Sequence, residues 1–183
     1  MAVREILLNG HPLLRKTARE VKKMTPEIKA LCADMFETLR AAPGVGLAAT
    51  QVGAMHRVVV IELPEDEEDP FSGQAFCLIN PTIANASGSQ IGNEGCLSVP
   101  GYVGEVERYE RILVKALAEN GKPVKLKADG FFARVLQHEI DHLDGVLYID
   151  RLTSPERLYK VEPGQEEQDE LEEARREMER GER

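Results

Sequence analysis

The sequence has no tryptophan, and its other aromatics are five phenylalanines and four tyrosines. Stacking platforms for single-stranded nucleic acid are therefore scarce. No apolar run approaches the ~20 residues that cross a bilayer. Lys and Arg number 23 against 32 Asp and Glu, for a net charge of -9, and they nowhere gather into a stripe. Residues 162–183 alone hold ten acidic and four basic side chains, which leaves the remainder only mildly acidic. Direct nucleic-acid binding by counterion release and docking on a membrane surface both lack their cationic face, and neither is expected. Cys32, Cys77 and Cys96 are an odd count at wide spacing. They make a poor disulfide framework and suit thiols kept reduced in a cytoplasm. The apolar stub at Ile6, Leu7 and Leu8 is too short for a secretory leader, so the expected location is cytoplasmic.

What is present suffices for a core. Hydrophobic residues make up 42% of the 183, enough for one domain and cramped for two. Thr25-Pro26-Glu27 reads as an N-cap, a first-turn proline and an acid that suits the helix dipole. Ile28, Leu31, Cys32, Met35 and Leu39 then recur at helical spacing until Pro43-Gly44 ends the run. Residues 57–62 and 76–80 are apolar or β-branched runs of strand length, joined by an acidic loop over 65–69. Residues 111–118 alternate towards Asn120-Gly121, and 123–127 alternate back, which predicts a hairpin. Asp129 is placed to cap a second helix through Phe132, Val135, Leu136, Ile140 and Leu143, stopped by Gly145. The chain reads as one α+β domain over residues 1–163. An acidic tail over 164–183, helical or frayed, follows it.

The second helix carries His138-Glu139-Ile140-Asp141-His142. Two histidines at i and i+4 share a face and can reach one ion, and Glu139 between them can handle the proton of an activated water. A metal hydrolase is the expectation. Hydrolytic sites commonly take three protein ligands and a water, and the spacing leaves the third ligand open. Ordinary peptidases take it from downstream, where Glu156 and the tail acids lie. Upstream stands Glu94-Gly95-Cys96-Leu97-Ser98, in which Cys96 is either a ligand or a small buried apolar residue. Cys32 and Cys77, within apolar patterns, take the second reading. A metal that only staples the fold is a third possibility, but structural zinc sites fill all four positions with protein ligands.

Gly44-Val45-Gly46-Leu47-Ala48-Ala49-Thr50-Gln51 superficially fits a dinucleotide fingerprint. That motif needs a strand before the glycines and a helix after them, whereas here a helix precedes and a strand follows. The stretch reads instead as a glycine-rich turn suited to close approach of an extended substrate backbone. Gln51 is either an oxyanion donor or a solvated amide.

Together the three segments resemble the peptide deformylase family, which carries G-φ-G-φ-A-A-x-Q, E-G-C-L-S and Q-H-E-x-D-H-L-x-G in this order (φ apolar). Residues 3–160 share the resemblance, with His11 where an Asp is usual. It implies a single α+β domain with antiparallel sheets around a central helix that bears the metal motif. It implies Cys96, His138 and His142 as metal ligands with water in the fourth position, and Fe²⁺ as the ion, with Ni²⁺, Co²⁺ or Zn²⁺ able to substitute. Glu139 corresponds to the general base, and the Gln51 amide and Leu97 backbone N–H to the oxyanion donors. Gly44, Val45, Gly46, Glu94, Gly95, Phe131 and Arg134 correspond to the substrate site. From their own setting, Val45 and Phe131 read equally as core and Arg134 as a solvated helix face. The implied reaction removes the N-formyl group from the initiator methionine of nascent polypeptides and releases formate. The implied partners are those peptides and, transiently, the ribosome. Val103 stands where some members have a substrate-binding Arg, and this tail is acidic where some members have a basic ribosome-docking helix.

Overall fold

The protein is described from a computed structural model that covers residues 2–65 and 71–161. The tail at 164–183, the domain boundary at 163 and most of the acidic loop lie outside the described residues. The first helix, α1 (Pro26–Arg40), opens as its sequence predicts: Thr25 Oγ1 accepts from the Ile28 N–H at 3.4 Å. All five periodic apolar residues are buried. The second, α2 (Gly130–Leu143), starts at Asp129 without a capping hydrogen bond from that side chain. It stops before Gly145, which has φ +76° and sits so close to the Arg15 backbone that a Cβ would lie 2.7 Å from its carbonyl carbon. Only glycine satisfies both demands.

Among the described residues the strands are β1 (Gly46–Ala48), β2 (Val58–Glu62), β3 (Ala75–Ser87), β4 (Gln90–Glu94), β5 (Tyr102–Arg108), β6 (Arg111–Leu117), β7 (Pro123–Asp129) and β8 (Leu158–Lys160). They form a five-stranded sheet, β1-β2-β3-β6-β7, and a three-stranded sheet, β4-β5-β8. Every pairing is antiparallel. The predicted hairpin is β6–β7, and Gly121 supplies its positive φ of +79°.

The unbroken apolar run of β2 is explained by its neighbours. Val58 and Val60 pack with Leu31, Met35 and Leu39 of α1, while Val59 and Ile61 pack with Phe132, Leu136 and Leu143 of α2. A strand covered on both faces has no solvent face to alternate with. A third cluster joins Cys96, Val99, Val106, Leu147 and Tyr148 beneath the small sheet. No described helix is long and apolar enough to cross a membrane.

Two readings change. The glycine-rich stretch is not only a turn: Gly46–Ala48 pairs with β2 as an edge strand, and a 3-10 turn, Ala49–Val52, follows. Three residues give too short a run for a period to show. The small sheet was not legible because β5 buries Val103, Gly104, Val106 and Arg108. A glycine and an inward arginine hide the apolar alternation.

Candidate active site

The edge strand β1, the end of β4 and the middle of α2 meet around one cleft, partly open to solvent. Gly44, Val45, Gly46, Gln51, Glu94, Gly95, Cys96, Leu97, Phe131, Arg134, His138 and Glu139 all line it. His142 lies just behind, 1% exposed. Segments far apart in sequence thus converge because β1 packs on α2 while β4 delivers Glu94 and Cys96 from the other sheet. Pro43, Asn93 and Val135 also line the cleft. Sequence reasoning passed them over, although Val135 lies one turn before Glu139 on the same helix and Asn93 precedes Glu94.

At the floor, Cys96 Sγ is 3.2 Å from His142 Nε2, which is 3.2 Å from His138 Nε2. All three donor atoms lie within 4.8 Å of one another, and among the described residues this is the one grouping of at least three such side chains able to hold an ion. The downstream alternative, Glu156, is exposed and accepts from Ser154 instead. A buried thiol and two imidazoles aimed at one point suit a borderline-soft transition-metal ion. The residues fit the group.

Glu94 fixes the first imidazole. Its Oε2 is 2.9 Å from His138 Nδ1. A carboxylate only accepts, so Nδ1 carries a hydrogen and Nε2 faces Cys96 and His142. Burial pushes the Glu94 carboxyl up, but Arg108 and then His138 outweigh it and hold the group well below the usual carboxylate range. Burial also opposes charge on both histidines. At His138, contacts with Cys96 and Glu94 win and push the pKa up. At His142, burial and then the charge on His138 push it down. Two imidazoles whose Nε2 atoms face each other at 3.2 Å cannot both be charged.

Gln51 is buried rather than solvated. Its Oε1 accepts from the Ala48 N–H at 2.8 Å, which turns Nε2 towards Ser98 Oγ at 3.1 Å and Cys96 Sγ at 3.6 Å. Arg134 is also buried, not on a solvated face. It donates to Gly92 O, Val106 O, Gln90 Oε1 and Glu94 Oε1 at 3.2–3.3 Å while lining the cleft.

Fold and cleft define a class: an α+β enzyme with soft donors for a metal ion gathered beside a carboxylate. The comparisons narrow it. The sequence model of the family described as polypeptide deformylase matches residues 3–158. A peptide deformylase of Thermomicrobium roseum is 47% identical over 171 residues, which is 92% of this chain and 96% of that one. A crystal structure of peptide deformylase from Ehrlichia chaffeensis in complex with actinonin is similar with a TM-score of 0.80 at 42% identity, covering 86% of this chain and 92% of that one. The structure of the Thermotoga maritima peptide deformylase gives 0.76 at 38% identity, over 84% and 100% of the two chains. The chain belongs to the peptide deformylase family. It is a hydrolase of protein biosynthesis that removes the N-formyl group from nascent polypeptides.

Proposed function

We propose that this deformylation takes place in the cleft between β1 and α2, with Cys96, His138 and His142 holding the metal and Fe²⁺ as the resident ion. The observation that carries the reading is the convergence of the three donor atoms within 4.8 Å on the floor of a cleft that Glu139 also lines. When bound, the ion supplies Lewis acidity that brings the pKa of water from 15.7 towards ~7. Thiolate ligation softens it, which accommodates Fe²⁺ and lets Ni²⁺, Co²⁺ or Zn²⁺ substitute.

The protein does the rest. Glu139 takes the proton of the attacking water and returns it to the departing amine, a role worth roughly 10²–10⁴-fold. The formyl oxygen gains charge as the carbon becomes tetrahedral. The Gln51 side-chain amide and the Leu97 backbone N–H donate to it, and losing one such donor typically costs about 10²–10³ in turnover. Gly44, Gly46 and Gly95 line the path of the substrate backbone, and Val45, Phe131, Glu94 and Arg134 bound the space for the methionine side chain. Residues 1–163 form the catalytic domain and 164–183 an appendage. The substrate is a formyl-methionyl nascent peptide in the cytoplasm, met with transient ribosome contact.

The test is an assay of the anaerobically purified enzyme, with its metal content measured, on formyl-Met-Ala-Ser, acetyl-Met-Ala-Ser and an unblocked protein. Formate release from the first substrate alone is expected, at about one transition-metal ion per chain. Cleavage of internal peptide bonds would overturn the reading.

A further inference from the structure

Arg108 ends β5 at an inward-facing position, an unusual place for a guanidinium. Its side chain is 3% exposed. Nε donates to Glu94 Oε1 and Nη2 to Glu94 Oε2, each at 2.8 Å. Nη1 donates to Asp141 Oδ2. One planar group therefore grips both oxygens of a β4 carboxylate and, with its remaining nitrogen, a carboxylate of α2. Asp141 lies between His138 and His142 in sequence. Glu94 Oε2, the oxygen held by Nη2, is the atom that meets His138 Nδ1.

The neighbouring arginines do not duplicate this. Arg134 meets Glu94 Oε1 through Nη1 at 3.3 Å and also donates to Gly92 O, Val106 O and Gln90 Oε1. Arg151 meets Asp141 alone, from a side chain that is 46% exposed. Only the Arg108 fork fixes the rotation of the Glu94 carboxylate, and with it the direction in which His138 is held.

We propose that Arg108 is a positioning residue of the metal centre: its fork orients Glu94 and Asp141 together, and so aims the His138 imidazole at the point where Cys96 and His142 converge. The inference rests on the reading of Cys96, His138 and His142 as ligands. Groups that orient ligands from behind typically carry about 10–100-fold in metal affinity. Lysine would keep the charge and lose the fork.

The test uses the full chain loaded with Co²⁺, with loss of the ion to excess EDTA followed by visible absorption. Wild type, Arg108→Lys, Arg108→Met, Arg151→Met and Cys96→Ala are compared, each with its melting temperature. Arg108→Lys and Arg108→Met should release Co²⁺ about 10–100-fold faster, with an altered cobalt spectrum. Arg151→Met should stay within about threefold of wild type. If Arg108→Met, which leaves Glu94 buried without its main partner, does not fold, Arg108→Lys decides. A purely structural role would lower the melting temperature and leave release from the folded protein unchanged. Release from Arg108→Lys at the wild-type rate, or equal acceleration in Arg151→Met, overturns the proposal. Cys96→Ala holding Co²⁺ as tightly as wild type would instead overturn the ligand reading, so the two failures are distinguishable.

Discussion

The Glu139 carboxyl occupies the space that a side chain at Gly46 would need: a Cβ built on Gly46 falls 2.5 Å from Glu139 Oε1 and 2.8 Å from its carboxyl carbon. The glycine of an edge strand and the acid of the central helix are thus one unit. A methyl group there must move the end of a flexible side chain rather than backbone. Gly46→Ala is therefore expected to displace Glu139, lower kcat/KM by about 10²-fold or more, and change the melting temperature by only a few degrees. Wild-type turnover in this variant would show that Glu139 need not sit against β1.

Glu139→Gln keeps the shape and removes the proton acceptor. Turnover should fall roughly 10²–10⁴-fold while metal content by elemental analysis stays at the wild-type level. Activity within tenfold of wild type would sink the general-base assignment.

The cysteines should separate by role. Cys96→Ala should lower metal content and activity together, because it deletes one of the three converging donors. Cys32, 1% exposed on the inner face of α1, packs in the apolar core and is not one of the three converging donors. Cys32→Ala should cost roughly 1 kcal/mol of stability and leave metal content unchanged. Loss of metal from Cys32→Ala would contradict the division.

The pH dependence follows from Glu94, whose folded pKa lies well below the ordinary 4.5 because Arg108 and His138 outweigh burial. A carboxylate depressed on folding stabilises the protein above its unfolded pKa, and that contribution is lost as pH falls through the folded value. After identical chelator treatment, the wild-type melting temperature should decline more steeply below pH ~4.5 than that of Glu94→Gln, which takes up no proton there. Parallel acid slopes would remove Glu94 from the account.

If the resident ion is Fe²⁺, air should inactivate the enzyme faster than nitrogen, since a redox-active ion bonded to Cys96 exposes both to oxidation. Exchange for Ni²⁺ should protect it. Equal half-lives for a verified iron form would count against this.

The sequence by itself determined the local structure and the chemical inventory. Thr25 and Pro26 set the start of α1, Asn120-Gly121 set the hairpin, and the i, i+4 spacing of His138 and His142 put both rings on one face. Each of these is decided within a few residues, by φ limits, capping donors or helical period. The three family segments named the activity, but spacing alone left the third ligand open between Cys96 and the downstream acids. Only the tertiary structure brings one of these candidates to the histidines, packing the segment after β4 against α2 so that Cys96 Sγ lies 3.2 Å from His142 Nε2, while Glu156 stays exposed. It also decided that Gln51 and Arg134 are buried and that Gly46 makes room for Glu139. Arg108, unmarked in the sequence, acquires its place because β5 turns it inward onto Glu94 and Asp141. Such contacts join residues many positions apart, and they arise from the packing of two sheets on one helix, which no local period encodes.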